Sequence, residues 1–139
     1  MYCKARPDWV HESSDGGVLL DLKSCADESP NGFGRAAARM GYHRQAVHYR
    51  TGYQAVTRRR VSEFVLAAVT NVQPVLAVPY LLTDEIAEQA IDECRELREL
   101  YARCMQSGQW PTYGDGYQLL DFPAYAKRSN EVEISDVDD

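Results

Sequence analysis

The chain has 139 residues, 45% of them hydrophobic and 26% charged, which suits one domain with a core of moderate size. Its formal net charge of −6 argues against a uniformly basic polyanion binder. No apolar run approaches the roughly 18 residues that span a bilayer, and Lys4, Arg6, Asp8 and His11 interrupt the opening where a signal peptide would stand, so a cytoplasmic chain is expected.

In chain order, Tyr2 to Val10 reads as a strand, with its alternation interrupted by Pro7. "HESSDGG" has the chemistry of a hairpin connection, and Val18 to Ser24 reads as the second strand. "ADESPNG" is a loop. A long helical pattern runs from about Phe33 to Thr57, with Gly41 and Gly52 as its weak points. "EFVLAAVT" (Glu63 to Thr70) and "VLAVPYLL" (Val75 to Leu82) are two apolar strands joined by the turn "NVQP" into a second hairpin. Pro79 puts the latter at a sheet edge or on a bulge. Thr83 caps the clearest helix, whose apolar face is Ile86, Ala90, Cys94, Leu97, Tyr101 and Cys104. Asp84 and Glu85 favour its start and Gly108 ends it. The following aromatic, Pro/Gly-rich segment is expected to return over the sheet, anchored by Trp110 and Phe122. The element order β-β-α-β-β-α predicts an α+β fold, an α/β sandwich around one mixed sheet. Residues 1–128 form the domain, and residues 129–139 are an acidic tail expected to be disordered.

The charge is unevenly distributed. The last nine residues, "EVEISDVDD", hold five acids and no base; the remainder has 15 basic and 16 acidic residues. Ser29 to Ser62 contains no acid but seven arginines (Arg35, Arg39, Arg44, Arg50, Arg58, Arg59, Arg60), with His43 and His48. That segment is either a solvated helix face or a surface for polyanions. Arg58 to Arg60 close the long helix, where they complement its dipole or touch phosphate. Cys3, Cys25, Cys94 and Cys104 form no C-x-x-C pair and no zinc spacing, and read as free thiols.

The second strand poses a chemical question. Residues two apart share a face, so Asp21 and Lys23 point one way while Leu20 and Leu22 point the other, with the leucines expected in the core. Pairing through "HESSDGG" would let Asp8, just after Pro7, converge on Asp21. A hard divalent cation such as Mg²⁺ would relieve the repulsion of two carboxylates, with the Leu22 backbone carbonyl as a further ligand. Lys23 beside it could orient or deprotonate a water, or stabilise charge developing on a phosphate. The competing reading is a cross-strand salt bridge of Asp21 or Asp8 with Lys23 or Arg6.

"RPD", then twelve residues, then "DLK" has the form P-D-x(n)-(D/E)-x-K, spans a hairpin and is followed by a long helix. That helix carries Gln45 and Tyr49 in "YHRQAVHY", four residues apart and so on one face. Together with the late "WP" and its aromatics, "CKARPDWV", "GVLLDLKSCAD" and "GYHRQAVHYRTGYQAV" resemble the PD-(D/E)XK nuclease superfamily, specifically the RecE type (exodeoxyribonuclease VIII) and related phage exonucleases with a Q-x-x-x-Y signature. The resemblance reaches about Lys127. It implies a restriction-endonuclease-like core, metal ligation by Asp8 and Asp21, Lys23 as the catalytic lysine, and Gln45 and Tyr49 positioning the DNA strand or the catalytic groups. Asp21 is the less common aspartate variant of the central acid. The resemblance further implies a Mg²⁺-dependent (or Mn²⁺-dependent) exonuclease on double-stranded DNA ends in phage recombination or repair, in the cytoplasm of a bacterial host. A single-strand annealing recombinase as partner and a homo-oligomer fit the same group. Arg35 and Arg39, one turn apart, are expected to contact the DNA backbone, with Arg44 and with Ser24 after the active-site lysine. Family members carry helices ahead of the first strand, with an upstream His or Glu completing the metal site. This chain is therefore expected to be incomplete at its N-terminus, or a minimal version in which a residue such as His11 or His43 substitutes. The rival expectation is a non-catalytic remnant that binds DNA or protein.

Overall fold

A computed structural model describes residues 3–114 and 116–127; the expected acidic tail lies outside the described residues. The chain divides into two units, Met1–Ser107 and Gly108–Asp139. The first contains strands β1 (Trp9–Ser13) and β2 (Gly16–Cys25), helices α1 (Pro30–Met40) and α2 (Tyr42–Thr57), strands β3 (Val61–Thr70) and β4 (Ala77–Tyr80), and helix α3 (Asp84–Ser107). The sheet order is β1-β2-β3-β4. β2 pairs antiparallel with β1 and parallel with β3, while β3 pairs antiparallel with β4, so the sheet is mixed and the fold α+β as expected. Parallel neighbours need a long crossover, and α1 with α2 supply it.

The local chemistry explains most boundaries. Ser29 caps α1 by accepting a hydrogen bond from the Gly32 amide at 3.1 Å, with Pro30 in the first turn, where its missing N–H costs nothing. Gly41, at φ 70°, ends α1 in the left-handed region and starts α2. The single helix expected over 33–57 is therefore two, because the left-handed Gly41, the first of the two weak points expected in it, breaks the hydrogen-bond ladder. Thr83 caps α3 as expected, accepting from the Ile86 amide at 3.3 Å.

The first strand differs from expectation. Among the described residues extended pairing starts at Trp9 and continues through "HES", so the turn is only Ser14–Asp15, and Tyr2 lies outside the described residues. Ser13 Oγ donates to the Gly16 carbonyl at 3.0 Å and accepts from the Asp15 amide, which closes this short loop. β3 and β4 do pair as a hairpin, and Pro79 lies on the edge strand, where its missing donor is tolerated.

The core lies between one sheet face and the helices. Leu19, Val61, Phe64, Leu66 and Ala68 from the sheet meet Phe33 of α1 and Ala46 of α2. A second cluster, Val47 with Ala90 and Cys94, joins α2 to α3. Of the expected α3 face, Ala90, Cys94 and Cys104 are buried, whereas Leu97 and Tyr101 stay substantially exposed. Among its described residues the second unit is irregular apart from a 3₁₀ turn at Ala124–Ala126. Its expected anchors, Trp110 and Phe122, are both more than half exposed.

Candidate active site

The two-residue period of β2 puts Leu19, Asp21, Lys23 and Cys25 on the helix-covered face. Leu20, Leu22 and Ser24 take the other, and Leu22 is 56% exposed. The alternation is as expected but the faces are exchanged: the charged pair is on the core side and the leucines are outside. The reason is α2, which packs across the face carrying Asp21 and presents polar groups to it.

Asp21 is 3% exposed. Gln45 Nε2 donates to its Oδ1 at 3.1 Å, and the Lys23 ammonium lies against its Oδ2. That Oδ2 atom accepts no hydrogen bond although fully buried, so half of the carboxylate is held by charge alone. A buried carboxylate is costly without a partner, and here Gln45 and Lys23 take one oxygen each. Tyr49, one turn beyond Gln45, turns its ring edge towards Phe64, with centroids 6.3 Å apart, and so helps fix α2 on the sheet. The four-residue spacing thus brings Gln45 to Asp21 and Tyr49 into the core of the same face.

Asp8 lies one residue ahead of β1, and its amide donates to the Leu20 carbonyl at 3.1 Å. Its Oδ2 accepts from the Leu22 amide at 2.8 Å. In a strand the amide and carbonyl of one residue leave on the same edge, so the Leu22 carbonyl points to the edge occupied by Asp8. Asp8, Asp21 and Leu22 therefore gather at the end of the β1–β2 pairing. Their atoms are hard oxygen donors, the kind Mg²⁺ or Mn²⁺ takes, and the Asp21 Oδ2, ion-paired with Lys23 but accepting no hydrogen bond, is a natural ligand. Among the described residues there is no group of three or more His, Cys, Asp or Glu that could hold a metal. The salt bridge expected between strands is instead formed within β2, between Asp21 and Lys23 two residues apart.

The remaining candidates are dispersed. Ser24 is exposed on the sheet face opposite Asp21. Arg35 and Arg39 are exposed on α1, and Arg35 is bonded to Asn31 at 2.8 Å. Arg44 is tied to Glu93 of α3 at 3.1 Å, and His43 contacts the same carboxylate at 3.1 Å. Gln89 and His43 hold the Glu93 carboxyl below the usual glutamate range. His43 is thus committed to α3, and His11 stacks on Trp9, with centroids 5.6 Å apart, on the face away from Asp21. Neither stands in for an upstream metal ligand. Arg59 binds Glu12 and the Ser13 carbonyl, each at 2.8 Å, joining the end of α2 to the hairpin. A cavity of about 550 Å³ beside α2 is lined by Lys4, Arg6, Pro7, His48 and Tyr49, which puts basic groups next to the Pro7-Asp8 approach.

One site residue escaped the sequence reading. The Tyr42 ring faces Lys23, with Nζ 4.4 Å from its centroid. Its signal was spacing: Tyr42 precedes Gln45 by three, placing it on the same face of α2.

A family model for a PDDEXK-like domain of unknown function (DUF3799) matches residues 1–122. No curated protein matches the chain. Among solved structures, the chain resembles a protein from Eubacterium rectale described as a "putative exonuclease", with a TM-score of 0.56 and 18% identity over 76% of this chain. The chain spans 44% of that protein's length.

Proposed function

The chain belongs to the PDDEXK-like family whose model spans residues 1–122, within the PD-(D/E)XK nuclease-like superfamily, and on that premise we propose that it hydrolyses phosphodiester bonds in DNA. The observation that carries the reading is the buried Asp21 carboxylate, fixed by Gln45 on one oxygen and facing Lys23 with an otherwise unbonded second oxygen. Asp8, Asp21 and the Leu22 carbonyl would hold Mg²⁺ or Mn²⁺, which supplies Lewis-acid activation of water and phosphate when bound. Gln45 keeps the Asp21 carboxylate from rotating, and Tyr49 keeps Gln45 in place by anchoring α2. Lys23 brings a cation to where negative charge develops on the phosphoryl oxygens. Asp8 holds the strand end by accepting from the Leu22 amide. The substrate we assign is double-stranded DNA with a free end, processed in phage recombination or repair alongside a single-strand annealing recombinase, by a homo-oligomer in a bacterial host's cytoplasm. Arg35 and Arg39 are the proposed backbone contacts. Arg44 would have to leave Glu93 to join them.

A second reading is a non-catalytic DNA-binding or protein-interaction module, favoured by the two-carboxylate donor set. The two separate in one assay. The purified chain is incubated with linear and with circular DNA, with Mg²⁺ or a chelator, beside Asp8→Asn, Asp21→Asn and Lys23→Ala. Metal-dependent loss of linear DNA that all three variants abolish supports the enzyme. A folded wild type that binds DNA but leaves it intact sinks it.

A further inference from the structure

Lys23 is the ammonium paired with Asp21, and a lysine on a flexible four-carbon stem needs something besides its counter-ion to hold its direction. Two surfaces meet it: the Asp21 Oδ2 on its own strand and the face of Tyr42 on α2, 4.4 Å from ring centroid to Nζ. A cation over an aromatic face is attracted by the ring quadrupole, more strongly where water is excluded, and the Lys23 side chain is 14% exposed. From β3, Lys23 is paired in register with Ala68, which offers neither charge nor hydrogen bond to compete.

The ring is itself held. Tyr42 is the first residue of α2, directly after the left-handed Gly41, so its backbone position is set by the helix start. It packs against Phe33 of α1 with centroids 6.1 Å apart, and Phe33 stacks on Tyr80 of β4 at 5.0 Å. Tyr80 in turn donates its hydroxyl to the Glu28 carbonyl at 2.5 Å. A row of three rings, tied at its far end to the loop before α1, therefore ends on the ammonium of Lys23.

We infer that Tyr42 is a positioning residue: its ring face holds the Lys23 ammonium beside the Asp21 carboxylate and so aims it at the phosphate. The inference rests on the nuclease reading for its kinetic half, but the contact itself does not. The interaction uses the ring and not the hydroxyl, so phenylalanine keeps it, whereas leucine or methionine fills the space without a π face.

The experiment compares wild type with Tyr42→Phe, Tyr42→Leu and Tyr42→Met in the full chain. The side-chain methylene protons of Lys23 are followed by NMR, and cleavage of linear DNA is followed kinetically with Mg²⁺. Ring-current shifts move the Lys23 ε-protons upfield in wild type and Tyr42→Phe, and this shift is lost in the other two. Turnover falls about tenfold in Tyr42→Leu and Tyr42→Met, with KM within about twofold, and stays near wild type in Tyr42→Phe. The inference is overturned if the Lys23 resonances are the same in wild type and both ring-less variants, or if Tyr42→Phe loses as much turnover as they do. A wild type that cuts no DNA refutes the nuclease reading instead, and the resonances then decide the contact alone. If Tyr42→Leu lacks a dispersed spectrum, Tyr42→Met and Tyr42→Phe decide the matter.

Discussion

Removing Lys23 alone should harm the fold more than removing Lys23 and the charge of Asp21 together. The Asp21 side chain is 5% exposed and Lys23 is its charge partner. Lys23→Met leaves the carboxylate buried with only the Gln45 hydrogen bond, and breaking such a pair costs about 3–5 kcal/mol. Asp21→Asn keeps an acceptor for Gln45 and removes the charge; its lysine, less deeply buried, can move its head towards water. That single change costs about 1–2 kcal/mol. The double variant carries no buried charge and should lie within about 1–2 kcal/mol of wild type. Adding Asp21→Asn to Lys23→Met thus restores about 2–3 kcal/mol, a coupling of opposite sign to additivity. The assay is urea unfolding of the four proteins in chelator, followed by circular dichroism. With a slope near 1.5 kcal/mol per molar, the rescue moves the midpoint by about 1.3–2 M. If the double variant is less stable than Lys23→Met, the pair is not a buried, mutually dependent unit, and the reading of Asp21 as a carboxylate held ready for a cation fails with it.

Mg²⁺ should stabilise wild type against urea by about 1–3 kcal/mol at 10 to 100 times its dissociation constant, while Asp8→Asn combined with Asp21→Asn shows no gain; equal gains would place the ion elsewhere. Glu93 titrates below its ordinary value in the folded chain because Gln89 and His43 hydrogen-bond its carboxylate. A depressed carboxyl contributes stability above the unfolded value and loses it as pH falls through the folded one. Urea midpoints should therefore drop below about pH 4.5, and drop less in Glu93→Gln. Gly41→Ala should cost about 1–2 kcal/mol, since φ 70° is strained for any Cβ, and the added methyl would displace the Arg44 guanidinium; an unchanged midpoint would refute the strain. Arg59→Ala should cost under about 1 kcal/mol, because its contacts with Glu12 are half exposed, and that loss should shrink in high salt.

The sequence was a good guide where chemistry is local. The left-handed tendency of Gly41, the cap at Thr83, the edge position of Pro79 and the mixed α+β order all follow from single residues or short spacings. The four-residue step put Gln45 and Tyr49 on one helical face, but the bond from Gln45 to Asp21 came only with the packing of α2 on β2. What alternation could not tell was which face of β2 would be covered. Leu20 and Leu22 look like core and Asp21 and Lys23 look like surface, yet α2 packs across the charged face. Burial is decided by what a distant segment lays against a strand, and here that segment carries Gln45 and Tyr42, which supply partners for the carboxylate and the ammonium. The dispersal of the arginines has the same origin: Arg44 and Arg59 look alike in sequence, but Glu93 and Glu12, brought near by folding, consume their charge. By itself the sequence determined the order of strands and helices, apart from the break at Gly41, and the strand alternation that sets Asp21 and Lys23 on one face of β2. Only the tertiary structure decided that the acid and the lysine would be buried together, because the desolvation of a charge depends on neighbours from other parts of the chain.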